Sequence, residues 1–431
     1  VRPPPPRGPY LVAGFARSGR AAAAALVARG ERVIAYDAGE CDPLEGIELA
    51  CGGQGVELLE RVACVVKSPG VPREAPLIEA ALARGVPVIG EVELAWRLLP
   101  NELIAVTGTN GKTTTVELIG EIHRAAGAPV EVAGNVGRAL STLLPAPPAP
   151  DATIVCEVSS FQLEDTLAFA PDAAVLLNLT ADHLDRHHSF ERYRGAKLRI
   201  FANQPAEAIA VVPEELAALA TGAAQAVLFG AGERCALRLE RGSLYWQDEL
   251  LLATTELRMR APLEDAMAAA AVSLARGVSL EAVHSALVAF RGVAHRLEEI
   301  SQIGGVTYVN DSKATNIAST LVALAAFEPG SVLLILGGRG KGQDFTLLRE
   351  AVAERAAHVY VIGEDGPRIA DALAGLPCTR VETLAEAVEH ARRLAHRGQV
   401  VLLSPACASF DQFDDFEARG DAFRMLVDEQ A

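Results

Sequence analysis

Ile104-Ala105-Val106-Thr107-Gly108-Thr109-Asn110-Gly111-Lys112-Thr113-Thr114-Thr115 reads as an apolar strand that breaks at a glycine, turns through Thr-Asn-Gly and opens a helix at Lys-Thr-Thr. Such a turn aims several backbone N–H groups, a helix N-terminus and one ammonium at one point, where a phosphate chain is held. The Thr113 hydroxyl then stands where Mg²⁺ is ligated beside the phosphates. The full P-loop pattern has another glycine where Val106 stands, so this is a shortened form. The alternative is a strand–turn–helix that binds nothing.

With 431 residues the chain has room for about three domains of ~150 residues. Half of its residues are hydrophobic and 22% are charged, which fits globular domains and excludes disorder. A net charge of −16 argues against broad nucleic-acid binding, so an anionic ligand needs local clusters of Lys and Arg. No apolar run reaches the ~18 residues of a membrane span, and no membrane insertion is expected. The opening Val1-Arg2-Pro3-Pro4-Pro5-Pro6-Arg7 lacks the apolar core of a signal peptide and reads as a loose tail. The seven cysteines form no Cys-x-x-Cys pair and no zinc spacing, so reduced thiols and a cytoplasmic setting are expected.

The expected class is α/β with three domains, 1–90, 91–291 and 292–431. In the first, a strand at Tyr10–Ala13, the turn Gly14–Gly19 and a helix from Arg20 to Arg29 precede a strand ending at Asp37. This is a Rossmann-like βαβ unit in which Ala16 replaces the second fingerprint glycine. It either binds a nucleotide diphosphate at the turn, with Asp37 toward the far end, or binds nothing there. The strand from Cys64 ends in the sharp turn Ser68-Pro69-Gly70.

The central domain holds the P-loop and a mostly parallel sheet. Its strand Ala152–Cys156 delivers Glu157, where a Mg²⁺-holding carboxylate belongs, although a surface glutamate is the plainer reading. A strand at Ala174–Leu177 leads into Asn178 to His188, dense in groups that suit Mg²⁺ or Mn²⁺ better than zinc. His187 and His188 read as ordinary polar residues. Lys197, in a helix among apolar neighbours, reads by itself as a snorkelling surface lysine. In the Rossmann-like third domain, strands lead to Asn310-Asp311-Ser312-Lys313-Ala314-Thr315-Asn316, to Gly337–Lys341 and to Ser404–Asp411, as a parallel sheet with its site along one edge requires.

Together these segments resemble the Mur ligases, ATP-dependent amide-forming enzymes of the bacterial peptidoglycan precursor. The match is carried by Gly108–Thr114, Glu157–Leu163, Asn178–Asp185, His295-Arg296 and Asn310–Asn316, in order over nearly the whole chain. The Asp311–Asn316 run, the Gly337–Lys341 turn and Ser404–Ser409 look most like the members that add D-glutamate. The resemblance implies that ATP phosphorylates the carboxylate of UDP-N-acetylmuramoyl-L-alanine and that the D-glutamate amine attacks the acyl phosphate. It implies a monomer with ATP and two Mg²⁺ ions, and catalytic Lys112, Glu157, His183 and Lys197. Thr113, Glu157, His183 and Lys197 as a carbamate would hold metal. Gly108, Thr109, Asn110, Gly111, Lys112, Thr113, Thr114, His295, Arg296, Asp311 and Lys313 would hold ATP. Arg17, Ser18, Asp37, Gly70, Asn135, Gly137 and Gln162 would hold the UDP substrate. Lys313, Thr315, Lys341, Ser409, Phe410 and Phe416 would receive D-glutamate.

Two departures stand out. Where this family usually has His-Asn-x-x-Asn against adenine, the chain has Arg260-Ala261-Pro262-Leu263-Glu264-Asp265, so adenine is held differently or less tightly. Arg17 replaces a common leucine, either as a charge contact to the diphosphate or facing solvent. Rival readings are another ligase of the superfamily or a regulatory nucleotide-binding protein that kept the fold.

Overall fold

The computed structural model describes residues 2–39, 41–222, 224–259, 262–340 and 342–428. They form two compact units, Val1–Leu257 with Leu263–Phe290, and Arg258–Pro262 with Arg291–Ala431. The first unit contains two sheets and the second contains one.

The five-stranded sheet runs Glu48–Cys51, Val33–Asp37, Tyr10–Ala13, Cys64–Lys67, Val88–Gly90, all parallel. The chain leaves Tyr10–Ala13 to one side and then returns to the other. That reversal opens a crevice at the carboxyl ends of Tyr10–Ala13 and Cys64–Lys67. Gly14 turns there with φ +85°, and the Ser68 hydroxyl donates to its carbonyl at 2.6 Å. A Cβ on Gly19 would lie 1.9 Å from the same oxygen, so only glycine lets the helix Arg17–Ala28 approach this closely.

The nine-stranded sheet runs Glu249–Ala253, Ser243–Trp246, Leu237–Glu240, Gln225–Gly230, Ile209–Pro213, Ala173–Leu176, Leu103–Thr107, Thr153–Glu157, Val130–Gly134. It is parallel except for the antiparallel meander Leu237–Ala253 at one edge. Leu103–Thr107 is buried along its length, as an interior parallel strand must be when both faces are covered. The helix Lys112–Ala125 packs with the helices Leu263–Ala275 and Leu280–Ala289. Its buried Thr115, Leu118, Ile119 and Ile122 recur at helical spacing, and it closes at Gly127, where φ is +69°. Trp96, Leu140, Leu163, Phe169, Ile200 and Phe201 belong to the core packed with that strand.

In the second unit the six strands run Glu298–Ile303, Val306–Asn310, Val400–Leu403, Val332–Gly337, Ala356–Ile362, Cys378–Arg380. The first pair is antiparallel and the others are parallel. Among the described residues no helix is long and apolar enough to cross a membrane.

Lys67 is fully buried at the seam between the first two sheets. Its ammonium pairs with Asp165 at 2.7 Å and donates to the Val71 carbonyl at 2.7 Å. Removing one member of a buried pair strands the other charge, at a cost of roughly 3–5 kcal/mol. Lys67→Met is therefore expected to lower the denaturant midpoint strongly, and Lys67→Met/Asp165→Leu to recover much of the loss. Equal midpoints for Lys67→Met and the parent would remove this pair from the stability of the seam.

Two expectations from the sequence are corrected here. The opening segment is not a loose tail. The Arg2 guanidinium donates to the carbonyls of Trp96 at 3.0 Å and Asn101 at 2.5 Å and pairs with Asp172 at 3.3 Å. One arginine thereby satisfies carbonyls at the C-terminal end of the helix Glu91–Leu98, which sequence proximity could not reveal. The cysteines are not all free thiols: Cys41 and Cys51 are joined, because the turn into Glu48–Cys51 brings their Cα atoms to 6.3 Å.

Candidate active site

The P-loop is held from below by a neighbouring strand end. Asn178 follows Ala173–Leu176. Its side-chain oxygen accepts the Asn110 N–H at 2.9 Å, and its amide donates to the Asn110 carbonyl at 3.2 Å. Thr109 donates to the Thr180 carbonyl at 3.0 Å and meets the Tyr193 hydroxyl at 2.9 Å. These contacts fix Gly108–Gly111, and the helix that follows begins at Lys112 with Gly111 as its N-cap, so its N-terminus faces the turn. Gly111 has φ +86°, and a Cβ there would lie 2.1 Å from Asp265 Oδ1. Asp265 is buried beneath the loop.

Thr113 and Glu157, both buried, meet at 2.5 Å, the hydroxyl donating to Oε2. Asn135 donates to Oε1 of the same carboxylate at 3.1 Å. Strand pairing causes this: Leu103–Thr107 lies beside Thr153–Glu157, which lies beside Val130–Gly134, so three strand ends converge. Thr114 is buried on the same helix.

The plain reading of Lys197 as a surface lysine is wrong. The side chain is 2% exposed, and its Nζ donates to the Gly108 carbonyl at 2.7 Å. Lys112 Nζ donates to that carbonyl at 3.0 Å and to the Thr109 carbonyl at 2.8 Å. Burial first, and then the Lys112 ammonium, push the Lys197 amine well below the usual lysine range. Asp182 and Glu157 act in the opposite direction.

His183 takes a left-handed conformation, φ +52°, with its ring edge on Phe161 and its Nε2 3.5 Å from Asp182 Oδ2. The structure thus links His183 to Asp182 and links Lys197 to the P-loop. His187 is buried and bonded to the Ser160 hydroxyl at 3.0 Å, in keeping with an ordinary polar role.

At the crevice of the first sheet, Ala16 caps the helix Arg17–Ala28 with no side-chain bond, so its first N–H groups are open there. Asp37 serves the turn directly, accepting the Phe15 N–H at 2.7 Å and the Gly39 N–H at 3.0 Å. Arg17 is exposed and donates to the Gly137 carbonyl at 3.3 Å, which brings together two segments 120 residues apart. Ser18 is half-buried and Gly70 is exposed. Gln162 differs from expectation: it is buried, and its oxygen accepts the Ser159 N–H at 2.9 Å in a capping box. Its visible work is to fix the short helix after Glu157.

In the second unit Asp311 is also turned inward. Its oxygens accept the Leu297 N–H at 3.2 Å and the Ser404 hydroxyl at 2.7 Å, and burial pushes its carboxyl up to about 7. It orders the loop that would meet a ligand and does not itself reach out. Arg296 lies near enough to oppose that rise. His295, φ +60°, meets the Asn310 amide at 2.9 Å, its carbonyl accepts the Lys313 N–H at 3.1 Å, and its ring edge faces Phe416. Lys313 Nζ lies over the Phe416 ring at 5.2 Å. Thr315 is half-buried on the same loop, Ser409 is buried and Phe410 is 62% exposed. Arg339 and Ala408 pair antiparallel, so the Gly337–Gly340 turn abuts the Ser409 segment. A Cβ on Gly338 would lie 2.3 Å from the Ala408 carbonyl. Lys341, Arg260 and Ala261 lie outside the described residues.

Sequence reasoning gave no individual role to four contributors, although it named Asn178, Asp182 and Asp265 within longer segments. Asn178, Asp182 and Asp265 each stand just after a strand or at a helix start, a signal that was available. Arg419 gave none: it is an arginine within a helix. Buried, it donates to the Ser312 hydroxyl at 2.9 Å and carbonyl at 2.7 Å and to the Cys407 carbonyl at 3.1 Å, tying two loops together. Burial lowers its pKa to about 10.

Residues 106–251 match the Mur ligase middle domain, and residues 295–407 match the Mur ligase glutamate ligase domain. The fold is similar to that of UDP-N-acetylmuramate-alanine ligase from Thermotoga maritima, with TM-score 0.63 and 21% identity over 99% of this chain and 100% of that one. It is also similar to the MurF ligase from Thermotoga maritima in complex with ADP, with TM-score 0.61 and 18% identity over 94% and 91%. Among curated relatives, UDP-N-acetylmuramoylalanine--D-glutamate ligase from Myxococcus xanthus is 42% identical over 97% of both chains. The protein of that name from Pelotomaculum thermopropionicum is 41% identical over 98% of this chain and 97% of its own. Identity of this order along nearly the whole length makes the chain a member of the UDP-N-acetylmuramoylalanine--D-glutamate ligase family of Mur ligases.

Proposed function

We infer that this chain catalyses the ATP-dependent addition of D-glutamate to UDP-N-acetylmuramoyl-L-alanine, a ligation of peptidoglycan precursor synthesis. The observation that carries the reading is the convergence of Lys112, Lys197, Thr113 and Glu157 on one P-loop. ATP phosphorylates the substrate carboxylate, giving ADP and an acyl phosphate. The D-glutamate amine attacks the acyl carbon, and the tetrahedral adduct expels phosphate to leave an amide. Catalysis is positioning and charge neutralisation.

Lys112 and the loop N–H groups follow the charge on the transferring phosphoryl group. Among the described residues no three His, Cys, Asp or Glu side chains form a metal cluster. Thr113 and Glu157 do offer hard oxygens at hydrogen-bond distance, which fits Mg²⁺, an ion usually bound by one or two carboxylates plus substrate phosphates. Thr113 and Glu157 would hold one ion, and His183 with carbamylated Lys197 would serve a second. Bound Mg²⁺ supplies charge neutralisation at the phosphate oxygens.

The depressed pKa of Lys197 supports the carbamate, because the neutral amine is the form that adds CO₂, yielding a carbamate and a proton. Arg17, Ser18, Asp37 and Gly70 in residues 1–90, with Asn135 and Gly137, are assigned to the UDP substrate. Asp37 and Gln162 act by ordering their turns. Residues 292–431 receive D-glutamate through Lys313, Thr315, Lys341, Ser409 and Phe416, and Asp311 and Arg296 shape the same loops. The ATP requirement of the proposed reaction supports a cytoplasmic setting.

Phosphate release with UDP-N-acetylmuramoyl-L-alanine and ATP, scanned over D- and L-amino acids, tests this reading. D-glutamate is expected to be used and L-glutamate rejected, since cations fixing two carboxylates leave the amine only one direction. Equal use of both enantiomers, or phosphate release with no acceptor required, would defeat it.

A further inference from the structure

A cavity of about 260 Å³ lies in the first unit, sharing no lining residue with the P-loop or with the Gly14–Gly19 turn. Six charged side chains line it: Arg73, Glu74, Glu164, Arg186, Arg192 and Arg199. Arg192, Gly195, Ala196 and Arg199 recur at three- and four-residue spacing, so they share one face along the helix Phe190–Leu198 and its C-cap. Lys197 does not line the cavity, and its amine is committed to the P-loop.

The charge balance favours an anion. Glu164 lies 3.8 Å from Lys67 and 3.6 Å from Arg186, and Asp165 lies 2.7 Å from Lys67, so these four groups neutralise one another. That leaves Arg73, Arg192 and Arg199 against Glu74, which is drawn toward His188 at 3.7 Å on the exposed rim. In a chain of net charge −16, this is a local cationic concavity.

The guanidinium groups are also held in place. Arg73 donates to the Glu164 carbonyl at 3.0 Å, Arg186 to the Val71 carbonyl at 2.7 Å and Arg199 to the Leu163 carbonyl at 3.0 Å. Each such group carries five N–H donors in a fixed fork: Arg73 has this one carbonyl contact and keeps donors for a ligand, whereas Arg186 also meets the Pro69 and Gly70 carbonyls and Arg199 the Thr166 carbonyl and hydroxyl, which fixes their charge at the wall. We propose that this cavity is a second anion site, taking a small dianionic oxyanion of the phosphate class. Its volume falls below the ~300–1,000 Å³ typical of pockets for drug-sized ligands, which favours a compact anion. The ligand would bridge the turn that carries Arg73 to the helix that carries Arg192 and so brace the seam of the two sheets. The ligase reading enters only in the use of a nucleotide to fill the P-loop.

The experiment titrates the whole protein, saturated with a non-hydrolysable ATP analogue, with inorganic phosphate and separately with glycerol 3-phosphate by calorimetry. One saturable site is expected, and the tighter ligand identifies the free anion or the monoester as its natural form. Arg73→Gln/Arg192→Gln should weaken it by more than about tenfold, and Arg73→Glu/Arg192→Glu should abolish it. Both residues are exposed, so the variants should melt with the parent; if the charge reversal does not, the glutamine pair decides. No saturable binding in the nucleotide-filled parent, or undiminished binding in the glutamine variant, would overturn the proposal.

Discussion

Lys112→Ala is expected to lower turnover by about 10²–10³-fold while the protein stays folded. The ammonium lies on the Gly108 and Thr109 carbonyls, at the N-terminus of Lys112–Ala125, where the β- and γ-phosphates of ATP would gather. During phosphoryl transfer negative charge moves among those oxygens, and a fixed cation in a partly buried site follows it without solvent reorganisation. The helix N–H groups and the Asn178 and Thr180 supports survive the substitution, so the loop keeps its shape. Much of the loss should therefore appear in kcat, with a smaller loss in nucleotide affinity. Phosphate-release kinetics and a melting curve check it. Near-parental turnover in a folded variant would remove the P-loop lysine from the chemistry.

Lys197→Ala is expected to lower activity more than about 100-fold, and a small carboxylic acid such as acetate should restore part of it. As a cation, Lys197 would sit against Lys112 at one carbonyl oxygen and would repel a divalent ion. As a carbamate its sign reverses: it attracts the Lys112 ammonium and offers the oxygen donors that Mg²⁺ prefers. Burial and Lys112 hold the amine well below the usual lysine range, so more of it is neutral and able to add CO₂ near neutral pH than for an exposed lysine. Depleting bicarbonate should weaken the parent reversibly, and ¹³C-labelled CO₂ should give a carbamate resonance that Lys197→Ala lacks. An unmodified lysine in an active, Mg²⁺-loaded complex would contradict the carbamate, as would full activity in the alanine variant. A melting curve separates this loss from the cavity left by a buried side chain.

The turn at Gly108–Lys112 was legible because its information is local: a run of apolar residues, then glycine, then residues that open a helix. The same holds for the βαβ unit after Tyr10 and for the strands ending at Glu157, Asn178, Asn310 and Ser404. Each is written in a periodicity that a short window contains, and parallel sheets collect functional residues at strand ends. The order of those segments was enough to point to the family.

Side-chain destinations were not local. Lys197 and Lys112 are 85 positions apart in the chain, yet both reach the Gly108 carbonyl. Only the placement of the helix Phe190–Leu198 against the P-loop turns a surface-type lysine into a buried, depressed amine. Asp265 under Gly111, Asp311 locked by Leu297 and Ser404, and Arg419 between Ser312 and Cys407 depend likewise on which strands and helices become neighbours. The sequence by itself determined the elements, their order and the phosphate-binding turn, since propensity and periodicity act over a few residues. Tertiary structure alone decided which charges are buried together, because desolvation and pairing depend on the neighbours that packing supplies.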